Sequence, residues 1–144
     1  MAVQARSTTS LLGQAIVAGV IGGIVVDAFL SLVMHASPIG IWTFVAATAV
    51  GQGTPWIIGL VVHFVISIVW AILYLYAFGA LGQLKNWIVG AIAWGIVVDA
   101  VMNLLITLKV GAPWWPGFAQ GLLAHIVFYA APVTFYLART SRTA

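Results

Sequence analysis

The sequence predicts an all-α integral membrane protein: a four-helix bundle built as a tandem repeat of two transmembrane hairpins related by a pseudo-twofold axis along the membrane normal. Three observations lead there. Apolar residues fill 64% of the 144 positions, with only five Lys or Arg and two acids among them. That is too little charge to clothe a soluble domain. The apolar residues gather into four long runs. A hexapeptide that carries one of the two acids occurs twice.

A spanning helix needs about 20 apolar residues at 1.5 Å each. Residues 11–34, 55–78, 87–108 and 117–138 meet that length, and together they make one transmembrane domain over residues 1–144. The first run follows Arg6 like a signal peptide. It is longer than a signal h-region, contains Asp27 and recurs later, so it is read as a retained helix. Residues 39–50 form a further apolar stretch between Pro38 and the Gly51–Pro55 turn signals. It is too short to span and is expected to lie in the interface or re-enter. Pro132, inside the last run, should kink it near Phe128 one turn back.

Arg6, Lys85, Arg139 and Arg142 fall on the N-terminus, the second loop and the C-terminus, which an even number of spans places on one side; only Lys109 lies opposite. The positive-inside rule then makes both termini cytoplasmic. Trp42, Trp56, Trp114 and Trp115 mark the outer boundary and Trp87 the inner one, where amphipathic rings settle. The turn Pro113-Trp114-Trp115-Pro116 reads as an outer anchor, and Lys109 should snorkel to the outer interface.

The repeat is carried by two echoes. Gly23-Ile-Val-Val-Asp27-Ala28 recurs as Gly95-Ile-Val-Val-Asp99-Ala100, 72 positions on, and Gly59-Leu-Val-Val-His63 is echoed by Gly121-Leu-Leu-Ala-His125, 62 positions on. A shorter outer loop in the second copy accounts for the ten-residue difference. Residues 11–78 and 87–138 are then two copies in the same orientation.

Asp27, Asp99, His63 and His125 are the chemistry-bearing residues. An ionisable group at the bilayer centre costs about 2.5–3.5 kcal/mol on insertion scales, so each needs a partner. Counted from the outer helix ends, all four fall at a depth of roughly 10–14 Å and can share one layer. Each lies on a stripe of small or polar residues: Ala15, Gly19, Gly23, Asp27, Ser31; Gly59, His63, Ser67; Ala91, Gly95, Asp99, Asn103; Gly117, Gly121, His125, Tyr129. Small residues let membrane helices approach closely, so these faces should meet in the interior. Ser31, Ser67, Asn103 and Tyr129 are the supporting polar groups.

Several roles fit this layer. The Asp and His side chains can be interhelical glue, which makes the chain a structural or accessory membrane protein. They can also form a proton or cation site: a carboxylate beside an imidazole favours its charged form and poor hydration disfavours it, so such a pair can titrate in a physiological range. Two Asp and two His suit a divalent metal, although no local ligand spacing supports one. His63 and His125 can also ligate haem from both sides, making an electron carrier, although two acids beside the iron suit a porphyrin poorly. His35, at the outer end of the first span, is read as a solvated helix-end residue. The absence of Cys removes disulfides and thiolate chemistry. No nucleophile–base pair or phosphate loop is present, so an enzyme is not expected. The pI of about 9.7 comes without a basic cluster, so nucleic acid is not an expected partner. The expected partners are the lipid bilayer, a proton or small ion, and further copies of the chain, since 144 residues make a thin wall around any pathway.

From Gly53 onward the sequence resembles the YagU family of small bacterial inner-membrane proteins. The resemblance rests on Val62-His63-Phe64-Val65-Ile66-Ser67-Ile68-Val69-Trp70-Ala71, the loop Leu84-Lys85-Asn86-Trp87, the Pro-containing outer turn 113–116, and Ala124-His125-Ile126-Val127 with a basic end after it. The two His positions match the family pattern; Asp27 and Asp99 have no clear counterpart. The resemblance implies location in the bacterial inner membrane and a link to acid tolerance. A reporter fused after Arg142 is expected to read as cytoplasmic; a periplasmic reading would reverse every depth given above.

Overall fold

A computed structural model of the chain describes residues 8–111 and 118–142. The first helix, α1 (Thr8–Val33), ends where His35 takes a left-handed φ of 48°. Ser37 then starts α2 (Pro38–Ala49), its hydroxyl accepting from Gly40 N–H at 3.2 Å and Pro38 sitting in the first turn, where a missing N–H costs nothing. At 12 residues, α2 is about 18 Å long and cannot cross a bilayer. It folds back over α3 (Trp56–Ala80) and touches α1. After the loop containing Gly82, α4 (Trp87–Val110) closes on Gly111, whose φ of 68° gives a left-handed cap. The chain is described again from α5 (Phe118–Leu123), followed by a π-helical stretch (Ala124–Ala130) and α6 (Ala131–Arg142).

Four helical segments are long and apolar enough to cross a membrane: Leu11–Val33, Trp56–Ala80, Trp87–Lys109 and Ala119–Thr140. These bounds lie within a few residues of the predicted runs. Large side chains such as Leu32, Tyr76 and Leu108 face outward from them. A surface of this kind suits lipid and not water. Lys85 and Arg139 sit at one end of the bundle, where Thr134 donates to the Trp87 carbonyl at 3.0 Å and the Trp87 and Phe135 rings meet. Lys109 is at the other end, its ammonium donating to the Ala49 carbonyl at the close of α2. Arg6 and the turn 113–116, with Trp114, Trp115 and the neighbouring Gly117, lie outside the described residues.

Pairwise packing gives two helix pairs, α1 with α3 and α4 with the last span, joined where α1 lies along the π-helical stretch and α6. The α3 and α4 helices touch only lightly. Since lipid tails are as apolar as the helices, association depends on close packing and hydrogen bonds, and glycines permit it. A Cβ at Gly19 would fall 2.6 Å from Ile68 Cα, and one at Gly95 2.5 Å from Ile126 Cα. Near the basic end, Trp70, Tyr74, Phe78 and Trp94 fill the interior as a cluster of contacting rings, and Phe29 of α1 stacks on Phe128 at 3.9 Å.

Where the sequence predicts a kink near Phe128, the last span has a π-helical stretch directly ahead of Pro132. Ahead of the proline the Ala131 N–H bonds Ile126 O, five residues back, within a π-helical stretch that holds both His125 and Tyr129. A proline leaves a carbonyl one turn back without its donor, and a wider ladder redistributes the bonds around that gap.

If the glycine contacts set the helix spacing, Gly95→Ala should destabilise the protein by about 1–3 kcal/mol through backbone displacement. Gly13→Ala, with open space around it, should be close to neutral. Unfolding in detergent micelles measures both, and equal effects would refute the spacing argument.

Candidate proton site

The layer is assembled from two separate dyads, each within one helix pair. In the first, Asp27 of α1 is buried and its Oδ1 lies 3.2 Å from His63 Nε2 of α3. The same ring nitrogen is 3.4 Å from the Gly23 carbonyl. In the second, the fully buried Asp99 of α4 places Oδ1 3.0 Å from His125 Nδ1, which also sits 2.9 Å from the Gly121 carbonyl. Both contacting nitrogens therefore face only acceptors, a carboxylate and a carbonyl. That setting favours the neutral tautomers with the proton on Nε2 of His63 and on Nδ1 of His125, although the His63–Asp27 approach is an ion-pair distance and leaves Asp27 Oδ1 without a hydrogen bond among the described residues. Nδ1 of His63 and Nε2 of His125 remain as the basic positions.

The other carboxylate contacts differ between the dyads. Asp27 Oδ2 accepts the indole N–H of Trp42 at 2.9 Å. Asp99 Oδ1 also accepts from Asn103 Nδ2 at 2.9 Å, and the same amide donates to the Asp99 carbonyl at 2.8 Å. Trp42 is thus a correction to the sequence reading, which placed it only as a boundary ring. It stacks on Trp56, 5.7 Å between centroids, yet its N–H points inward to the carboxylate. The signal in the sequence was the surplus of acceptors: a lone Asp in an apolar helix beside a short helix that must fold back. Gly59 makes the approach possible, since any side chain there would strike the Trp42 carbonyl.

Of the supporting residues, Asn103 holds Asp99 directly. Tyr129 donates to the Ser67 carbonyl at 2.5 Å, tying the last span to α3. Ser67 is buried, and its hydroxyl oxygen lies 3.2 Å from where a Gly23 Cβ would be. The Ser31 hydroxyl has no hydrogen-bond partner among the described residues. Gly121 is required for another reason, because a Cβ there would run into Asp99 Oδ1. His35 is exposed at the α2 end, away from both dyads.

His63 and His125 line one small cavity of about 60 Å³, together with Ser67, Tyr129 and the apolar walls of Val26, Ile66, Trp70, Val98 and Met102. The volume and polar partners suit water. It is far smaller than the roughly 300–1,000 Å³ of sites for drug-sized ligands, so a haem between the histidines does not fit this geometry. Among the described residues no three His, Asp or Glu side chains converge, so the divalent-metal reading lacks a third protein ligand. Neither a family model, nor a curated protein, nor a solved structure matches the chain.

Trp42→Phe keeps the ring but leaves Asp27 Oδ2 without a donor in an apolar setting, and should cost about 1–3 kcal/mol. Trp56→Phe removes an indole that the carboxylate does not use and should cost less. Unfolding of both variants in detergent tests the difference; similar losses would mean that the indole bond contributes nothing beyond ring packing.

Proposed function

We propose that the chain is a proton-linked membrane protein in which His63 and His125 exchange protons through water in the cavity between them, with Asp27 and Asp99 as their counter-ions. One observation carries this reading: two histidines, each anchored through one ring nitrogen to a buried carboxylate, line the same cavity. Each keeps a basic nitrogen for a second proton, and the dyad carboxylate compensates the charge when it arrives. Imidazole is the side chain suited to this exchange near neutral pH. Transfer across the membrane and sensing of pH are the two uses of such a site.

The tandem repeat belongs to the same proposal. Gly23 meets the Phe64 ring and Gly95 meets Ile126, and these positions are related by the same 72- and 62-residue displacements that relate the two dyads. The proposed setting is the bacterial inner membrane, with both termini cytoplasmic, the dyads nearer the outer face and several copies of the chain associated. Resemblance to the YagU family supports that setting and a role in acid tolerance.

A structural role for the dyads predicts something different. His63→Gln and His125→Gln keep hydrogen bonding, and membrane contacts of this kind average well under ~2 kcal/mol. If the layer is only glue, both variants should behave as the wild type. If protons pass through the histidines, pH-dependent proton flux in proteoliposomes should fall at least about tenfold in each single variant, a barrier increase of about 1.4 kcal/mol, while the helical fold survives. Wild-type vesicles without pH-dependent flux or response would reject the proton reading.

A further inference from the structure

Because α3 and α4 barely touch, a crevice of about 710 Å³ runs between them under the cover of α2. It is more than ten times the volume of the two-histidine cavity and shares with it the wall residues Ile66, Trp70 and Met102. Its polarity is sharply divided. Lys109 and Thr48 line it at the α2 end, whereas Val65, Val69, Leu73 and Leu105 line it further in. Those four are exposed, so the crevice opens sideways on the face that meets lipid. From the Trp56 end of α3 to Leu73 is about 25 Å of helix, most of a bilayer core.

We propose that this crevice binds one acyl chain of an anionic phospholipid, with the lipid phosphate held at Lys109. A space of this size on a spanning surface is filled by a hydrocarbon chain, and the lining offers such a chain nothing polar until its headgroup end. There the Lys109 ammonium uses one of its three donors on the Ala49 carbonyl, leaving two for phosphate oxygens. Among the described residues Lys109 is the one charged side chain lining the crevice, so the complementary headgroup is anionic. A basic residue near a bilayer surface attracts anionic lipid by about 1 kcal/mol, which corresponds to about a fivefold preference. A bound chain would also seal the side of the histidine cavity, packing against Ile66, Trp70 and Met102. The proposal does not depend on proton exchange.

Native mass spectrometry of the detergent-purified full chain, titrated with phosphatidylglycerol or phosphatidylcholine of the same acyl composition, tests it. The wild type should retain one phosphatidylglycerol about fivefold more strongly than phosphatidylcholine. Lys109→Gln should abolish the preference without removing chain binding. Val69→Trp, which fills the crevice from an already exposed position, should weaken both lipids, with circular dichroism and elution volume confirming that each variant is folded. Equal retention of the two lipids by the wild type, or a preference that survives Lys109→Gln, would overturn the proposal. So would a Val69→Cys chain that forms a disulfide-linked dimer in equal yield whatever lipid is added, since a second copy would then occupy the crevice.

Discussion

A carboxylate placed in a medium without water must be given donors by the protein, and this constraint shapes most of the bundle. Asp27 and Asp99 are its only acids. Each takes an imidazole from the paired helix, and each recruits one further N–H group. Delivering those donors requires helices closer than ordinary side chains allow. Glycines therefore occur where the donors arrive: Gly59 beneath Trp42, Gly121 against the Asp99 carboxylate, and Gly23 and Gly95 one turn before the acids. The small-residue stripes and the polar layer are one device, because neither has a use without the other.

The two dyads meet this constraint differently, and the difference follows from the length of the link after each acid's helix. In the first half the link between spans is long enough to contain α2, which returns an indole N–H to Asp27. In the second half the link is shorter, and the donor comes from Asn103, four residues along the acid's own helix. Ser31 follows Asp27 by four residues as Asn103 follows Asp99, and its hydroxyl has no hydrogen-bond partner among the described residues. That is the expected outcome once Trp42 has taken over the task. The histidines differ as well: His63 uses Nε2, while His125 uses Nδ1 and shares it with a backbone carbonyl of its own helix. The π-helical stretch that begins just before His125 alters the register of the last span at that point.

Much of this was legible in the sequence for simple reasons. Run length and hydropathy fix spanning helices, and a charge-poor background makes a repeated Asp conspicuous. The i, i+4 stripes then indicate which faces bury Asp27 and Asp99, and those faces are the ones that pack. Trp42 was not legible in its inward role, because a tryptophan at a helix end fits a membrane boundary equally well. The π-helical form of the Pro132 disturbance was not legible either, since proline specifies a lost bond and not the ladder that replaces it. The crevice between α3 and α4 arises from how the two pairs are joined, which no local pattern encodes.

The unequal second partners differ in how much of the fold each one needs. Trp42 reaches Asp27 from a separate short helix, so the bond depends on α2 keeping its place over α1 and α3. Asn103 reaches Asp99 from within the same helix, and its geometry needs no second element. The first dyad therefore has a partner on α2, the helix whose end Lys109 meets at the Ala49 carbonyl, whereas the further donor of the second dyad lies on α4 itself. Two sites that share a chemical plan are in this way given unequal partners by a single additional helix.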